Sequence, residues 1–154
     1  MREDMKICES SVGFEEFQPL ICFRAELCHG TTVHFDMNGV AEIPGTDRTM
    51  GTASLWINAD YWSVYHGGDL KFDSETIDRD RMRAFDTLVS GTRFSGLTDC
   101  KDSEELRIFF DDIEIVIEKS DDEVYDLINF YLPDGSMYHY SDALYKSHEI
   151  DEER

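Results

Sequence analysis

Apolar and polar positions alternate with period two over most of this chain, the pattern of half-buried β-strands. The run Leu20 to Leu27 is the first clear case, and Thr32 to Met37 follows after a His29-Gly30 turn. Asn38-Gly39 stands between Met37 and Val40. That dipeptide predicts a tight hairpin, because both central residues of such a turn need positive φ. Pro44-Gly45-Thr46-Asp47 closes the next segment, and Ala53 to Asn58 and Tyr61 to His66 read as further strands that end at Gly67-Gly68. Residues 1–11 read as a short lead-in with a strand around Lys6-Ile7-Cys8.

One segment breaks this rhythm. Met82, Phe85, Leu88 and Val89 recur at helical spacing and predict a central helix, capped by Ser74 or Thr76 and stopped at Gly91. Strand periodicity then resumes over Thr92 to Leu97, Leu106 to Phe110 and, past Asp111-Asp112, Ile113 to Glu118. Val124 to Leu132 and Ser136 to Tyr140 flank Pro133-Asp134-Gly135, where proline presets φ and glycine supplies a positive one. Ser141 reads as the cap of a short C-terminal helix carrying Leu144, Tyr145 and His148, with a frayed tail beyond it. The fold class expected is α+β: a single domain over 1–154, mainly antiparallel sheet, with one central and one short C-terminal helix.

Two stretches, 12–73 and 86–145, share features that suggest an internal duplication into two four-stranded halves. Ser63-Val64-Tyr65-His66-Gly67-Gly68-Asp69 resembles Ser136-Met137-Tyr138-His139-Tyr140-Ser141-Asp142. Val33-x-Phe35 before Asn38-Gly39 parallels Ile108-x-Phe110 before Asp111-Asp112, and Leu55 to Asn58 parallels Leu127 to Phe130. The competing explanation is that hairpins of similar length reuse the same turn formers.

Charge changes the picture most. Thirty-four acids against fourteen Lys/Arg give the 154 residues a net charge of −20. A 41% apolar and 12% aromatic content is that of a folded core, so the charge belongs on a surface. Such surplus favours solubility and attraction to cationic partners, and it disfavours direct contact with nucleic acid or anionic membranes. No apolar run approaches the roughly 20 residues that span a bilayer, and the charged opening Met1 to Lys6 lacks the form of a secretory signal. Four scattered cysteines fit reduced thiols in a cytoplasmic protein.

The acids concentrate late in the chain. From Asp99 onward there are eighteen acids and five Lys/Arg, a net of −13. Asp111, Asp112, Glu114, Glu118, Asp121, Asp122, Glu123 and Asp126 are the densest group, spread over two turns and the outward face of one strand. With Tyr125 and Tyr131 as aromatic anchors they form the expected partner-binding face. Trp56, Tyr61 and Trp62 are further aromatic candidates, of which Trp56 is expected in the core.

Signals of chemistry are weaker. Cys22, Cys28, His29 and His34 carry the right atoms for zinc, but on a spacing that fits no zinc template, so no metal or other cofactor is expected. Asp121-Asp122-Glu123-x-x-Asp126 lacks the glycine and spacing of a calcium loop. No nucleophile elbow, GxGxxG or P-loop is present, and the expectation is a protein without catalytic activity. His66 and His139 read as rim residues that bond a neighbouring strand.

In length, acidity, hairpin-rich β content and aromatics near acidic turns, the chain resembles the acidic cytosolic immunity proteins of bacterial toxin systems, including contact-dependent growth inhibition. That resemblance of type implies a basic nuclease toxin as partner, neutralised by direct contact, and assigns no residue roles. The alternatives are a nucleic-acid mimic that blocks a phage or host DNA/RNA-binding protein, and a small metal-binding module or enzyme.

Overall fold

A computed structural model of the chain describes residues 2–6, 11–12, 19–28, 30–42, 45, 47, 49–99, 104–119, 126–133, 135–140 and 144–149. The first half holds β1 (Arg2–Lys6), β2 (Ser11–Val12), β3 (Cys22–Leu27), β4 (Val33–Glu42), β5 (Thr49–Ile57), β6 (Trp62–His66) and β7 (Asp69–Asp73). After α1 (Arg79–Val89) come β8 (Phe94–Asp99), β9 (Glu105–Phe110), β10 (Ile113–Glu118), β11 (Ile128–Tyr131), β12 (Ser136–Tyr140) and β13 (Leu144–Glu149). All strand pairs are antiparallel, in a seven-stranded sheet ordered β1-β13-β12-β11-β5-β4-β3 and a six-stranded sheet ordered β2-β8-β9-β10-β6-β7.

The inner faces of the two sheets meet in one apolar core. Phe35 of the first sheet lies 5.2 Å from Phe110 of the second, and Phe94 lies 4.8 Å from Phe130. α1 adds Met82, Phe85 and Val89, with Phe85 packed against Phe35, Trp62 and Phe72. Asp78, rather than Ser74 or Thr76, caps this helix by accepting from Arg81 N at 2.8 Å. Ser74 Oγ is taken by Trp62 N, and Thr76 donates to Asp73, so neither hydroxyl is left for capping. Gly91 follows the helix with a φ of 90°, as its sequence position suggested. Asp86 Oδ1 accepts from Ala25 N of β3, covering a donor at the open edge of the seven-stranded sheet.

Two expected elements are corrected. Asn38 does take a positive φ of 67°, but β4 runs on through it. Met37 pairs with Ala53 and Val40 with Gly51, so Asn38 and Gly39 face a single residue, Thr52, as a β-bulge. A hairpin turn at 38–39 would forfeit the pairing of Val40–Glu42 with Thr49–Gly51. Gly51 is obligatory opposite the bulge, since a Cβ there would meet Met37 N at 2.5 Å and Ala53 O at 2.6 Å. The second correction is at the C-terminus: residues 144–149 form strand β13, not a helix, and fill the place between β12 and β1. Its backbone pairing on both sides outweighs local helix signals.

The halves 12–73 and 86–145 do not form separate four-stranded units, because each sheet takes strands from both. What repeats is connectivity: a three-stranded meander in one sheet (β3-β4-β5, then β8-β9-β10) leads to strands in the other, two in the first case (β6-β7) and three in the second (β11-β12-β13). A local hydrogen-bond pattern repeats as well. Ile21 N donates to Asn38 Oδ1 and Asn38 N to Ile21 O. Arg93 N donates to Asp111 Oδ2 and Asp111 N to Arg93 O, and Ile21 bridges Arg93. Of the sequence parallels, only Val33/Ile108 falls on equivalent strands; Ser63/Ser136 and Leu55/Leu127 do not.

Candidate functional site

The β9–β10 hairpin carries the first group of expected acids. At its turn Asp111 adopts a φ of 50° and accepts from Arg93 N at 3.2 Å, which ties this carboxylate to the backbone. Asp112 is exposed and lies 3.0 Å from His66 Nε2, so His66 is the rim histidine expected. Along β10, Ile113, Ile115 and Ile117 face the core and Glu114 and Glu118 face outward. Arg107 reaches Glu114 at 3.3 Å and Glu105 at 3.0 Å.

The expected single patch over 111–126 is not what the fold builds. Asp126 and Tyr131 belong to the seven-stranded sheet, where Asp126 accepts from Asn129 Nδ2 and lies 3.6 Å from His139. Tyr131 is on that sheet's outer face, opposite Ser54. The crossover from β10 to β11 separates these two from the hairpin. Asp121, Asp122, Glu123 and Tyr125 lie outside the described residues.

A different convergence of acids appears on the outer face of the six-stranded sheet. A groove of about 280 Å³ has Val116 and Ser63, register partners on β10 and β6, among its lining residues. Tyr61 and Tyr65 flank it, Asp73, Glu75, Glu105 and Glu118 contribute carboxylates, and among the described residues no Lys or Arg lines it. Glu105 and Glu118 are directly opposite each other on β9 and β10. Like charges in that relation destabilise a sheet. Asp73 is held by Thr76, whose backbone N and Oγ1 donate to it at 2.9 and 2.8 Å. Among the described residues, Glu118 is the one expected acid that lines this groove. The others come from β7, the loop after it, and β9, so local charge density along the chain does not reveal them. Strand parity could have found Glu105, since Leu106, Ile108 and Phe110 alternate inward from it.

The cysteines and histidines separate in an instructive way. A bulge between Cys22 and Arg24 breaks the parity of β3, so Cys22 points into the core. Burial pushes its thiol up to about 12 against the hydrogen bond to Arg24 O, with the Asp86 and Asp36 charges adding to the rise. Cys28 follows β3 on the outer face, with Sγ 3.1 Å from His34 Nδ1. His34 Nε2 in turn lies 3.1 Å from Asp36 Oδ2. Asp36 has no exposed side-chain surface and also accepts from Arg24 Nε at 2.7 Å and Gly51 N at 3.0 Å. Burial alone would raise its pKa, but the bonds from His34, Gly51 and Arg24 prevail and hold it at about 2. Trp56 stacks on His34 at 4.6 Å on this outer face, half-buried, while Trp62 is the tryptophan of the core. His29 is outside the described residues. Among the described residues no three His, Cys, Asp or Glu side chains converge as metal ligands would, and no helix is long and apolar enough to cross a membrane.

Compared with protein-family models, with curated proteins and with solved structures, the chain finds no match.

Proposed function

We propose that this chain is a binding protein that neutralises a basic protein, with the groove on the outer face of the six-stranded sheet receiving the partner's Lys and Arg side chains. The opposition of Glu105 and Glu118 carries the reading. Arg107 offsets part of that repulsion from the Glu105 side at 3.0 Å, and a cationic side chain beside Glu118 relieves the remainder. Tyr61, 53% exposed, and Tyr65 offer ring faces to the same cations. A net charge of −20 steers such a partner from a distance.

The partner chemistry that suits the groove is that of a nuclease toxin, whose own substrate demands a cationic surface. The chain would then act as an immunity protein, occupying that surface by direct contact. Nucleic-acid mimicry is less well served. Glu114 and Glu118 stand about 13 Å apart along β10, with apolar Val116 between them, rather than in a close row of charges.

The test is capture of basic proteins from lysate of the source cell at low and high salt, comparing the natural chain with Glu75→Lys/Glu118→Lys. Capture of a basic nuclease that weakens with salt and is lost in the double variant is the expected result. Equal capture by the folded double variant would remove the groove from the function.

A further inference from the structure

We propose that Cys28, His34 and Asp36 form a nucleophile–base–orienter relay on the outer face of the seven-stranded sheet, able to take an acyl group from an ester or thioester onto Cys28 Sγ. The relay is built on the seven-stranded sheet, whereas Glu105 and Glu118 of the acidic groove stand on the six-stranded one, and the inference departs from the expectation of a chain without chemistry.

The geometry sets the direction of proton transfer. Asp36 is ionised and fully buried, and His34 Nε2 lies 3.1 Å from its Oδ2. A carboxylate can only accept, so the imidazole proton resides on Nε2 and Nδ1 presents its lone pair to Cys28. Cys28 Sγ lies 3.1 Å from that Nδ1, within reach for donating its proton. Asp36 is itself fixed by Arg24 and the Gly51 N–H, so it holds the ring in one tautomer and orientation. Trp56, stacked at 4.6 Å and 18° to the ring, restricts rotation further. Strand order explains the assembly: His34 and Asp36 are two apart on β4 and therefore share a face, and Glu26, the register partner of His34, shares parity with Cys28. Nucleophile, base and orienting acid thus stand in the relation that activates thiols on unrelated folds.

In the step itself, the Cys28 thiol proton moves to His34 Nδ1 and the sulfur bonds the acyl carbonyl carbon. The bond from that carbon to the leaving oxygen or sulfur breaks, and the leaving group departs with the electron pair. The proton on His34 is available to it. No oxidant or other reactant is needed. Cys28 is half-buried, and the turn after it, from Gly30 to Thr32, lines a groove of about 420 Å³ that meets the acidic groove at Tyr61, Ser74 and Glu75.

The test uses p-nitrophenyl acetate with the full chain, read as phenolate release and as acetylation of the Cys28 peptide by mass spectrometry, which separates it from Cys8, Cys22 and Cys100. A burst with acetyl on Cys28 is expected, absent in Cys28→Ser and at least about tenfold slower in His34→Gln, as for loss of a general base. Asp36 acts through His34, so its readout is the pH profile of Cys28 alkylation by iodoacetamide. The charged groups bearing on that profile are Arg24, Glu26, His34 and Asp36 on β3 and β4. In His34→Gln and Asp36→Asn the midpoint should move up toward that of a free thiol, about 8.5. Cys22 reports folding, since a buried thiol stays unlabelled while the core is intact. The proposal is overturned if the folded natural chain gains no acetyl on Cys28, or if folded His34→Gln reacts as fast as the natural chain.

Discussion

On the outer face of the seven-stranded sheet, Asp36 is fully buried and accepts from Arg24, His34 and Gly51; on that of the six-stranded sheet, Glu118 stands exposed opposite Glu105. Both positions are acids on outward-facing strand sites, yet their surroundings give them opposite roles. The first is satisfied by the fold and needs nothing from outside. The second is opposed by the fold and gains from an arriving cation. Net charge alone treats the two as equal, and the register of the strands tells them apart.

The contrast can be broken most forcefully at Asp36. Replacing it by Ala leaves the Arg24 guanidinium, the His34 ring and the Gly51 N–H without their common acceptor. A loss of about 3–5 kcal/mol is expected, as when one partner of a buried pair is removed, and urea denaturation measures it. A gentler probe is pH. Because the folded-state pKa of Asp36 is about 2, below the usual Asp value, its contribution is fully present above that usual value and disappears as pH falls through about 2. The share at stake is about 2 kcal/mol. Denaturation midpoints followed down that acid window should drop for the natural chain, and the Asp36 part of the drop should be missing in Asp36→Asn. The smallest effect sharpens the other side of the comparison. Glu118→Gln removes one of two opposed charges and should raise stability by a few tenths of a kcal/mol, less at high salt. A clear loss of stability in that variant would give Glu118 a structural role like that of Asp36.

Much of the fold was legible because period-two alternation is local: Ile113, Ile115 and Ile117 face inward as their spacing requires, and the Met82, Phe85 and Val89 stripe makes the helix. Where the reading went astray, long-range pairing decided. Asn38 has the positive φ its type favours, but whether that makes a turn or a bulge depends on Thr49–Gly51, across the sheet. Residues 144–149 become a strand because β12 and β1 stand on either side to receive it. The sites follow the same rule. Asp73 and Glu75 lie together at the end of β7, but their meeting with Glu105 of β9 is a product of strand order. His34 and Asp36 share a face by simple parity, but the bulge that turns Cys22 inward has no counterpart in the spacing of the cysteines.

The swapped connectivity of the two meanders has one more consequence. β5 finds its neighbour in β11 and β6 finds its neighbour in β10, so neither sheet is complete until chain from both sides of α1 has arrived. Such pairing across the middle of the chain raises the average sequence separation of contacts, which slows folding relative to a fold of local hairpins alone.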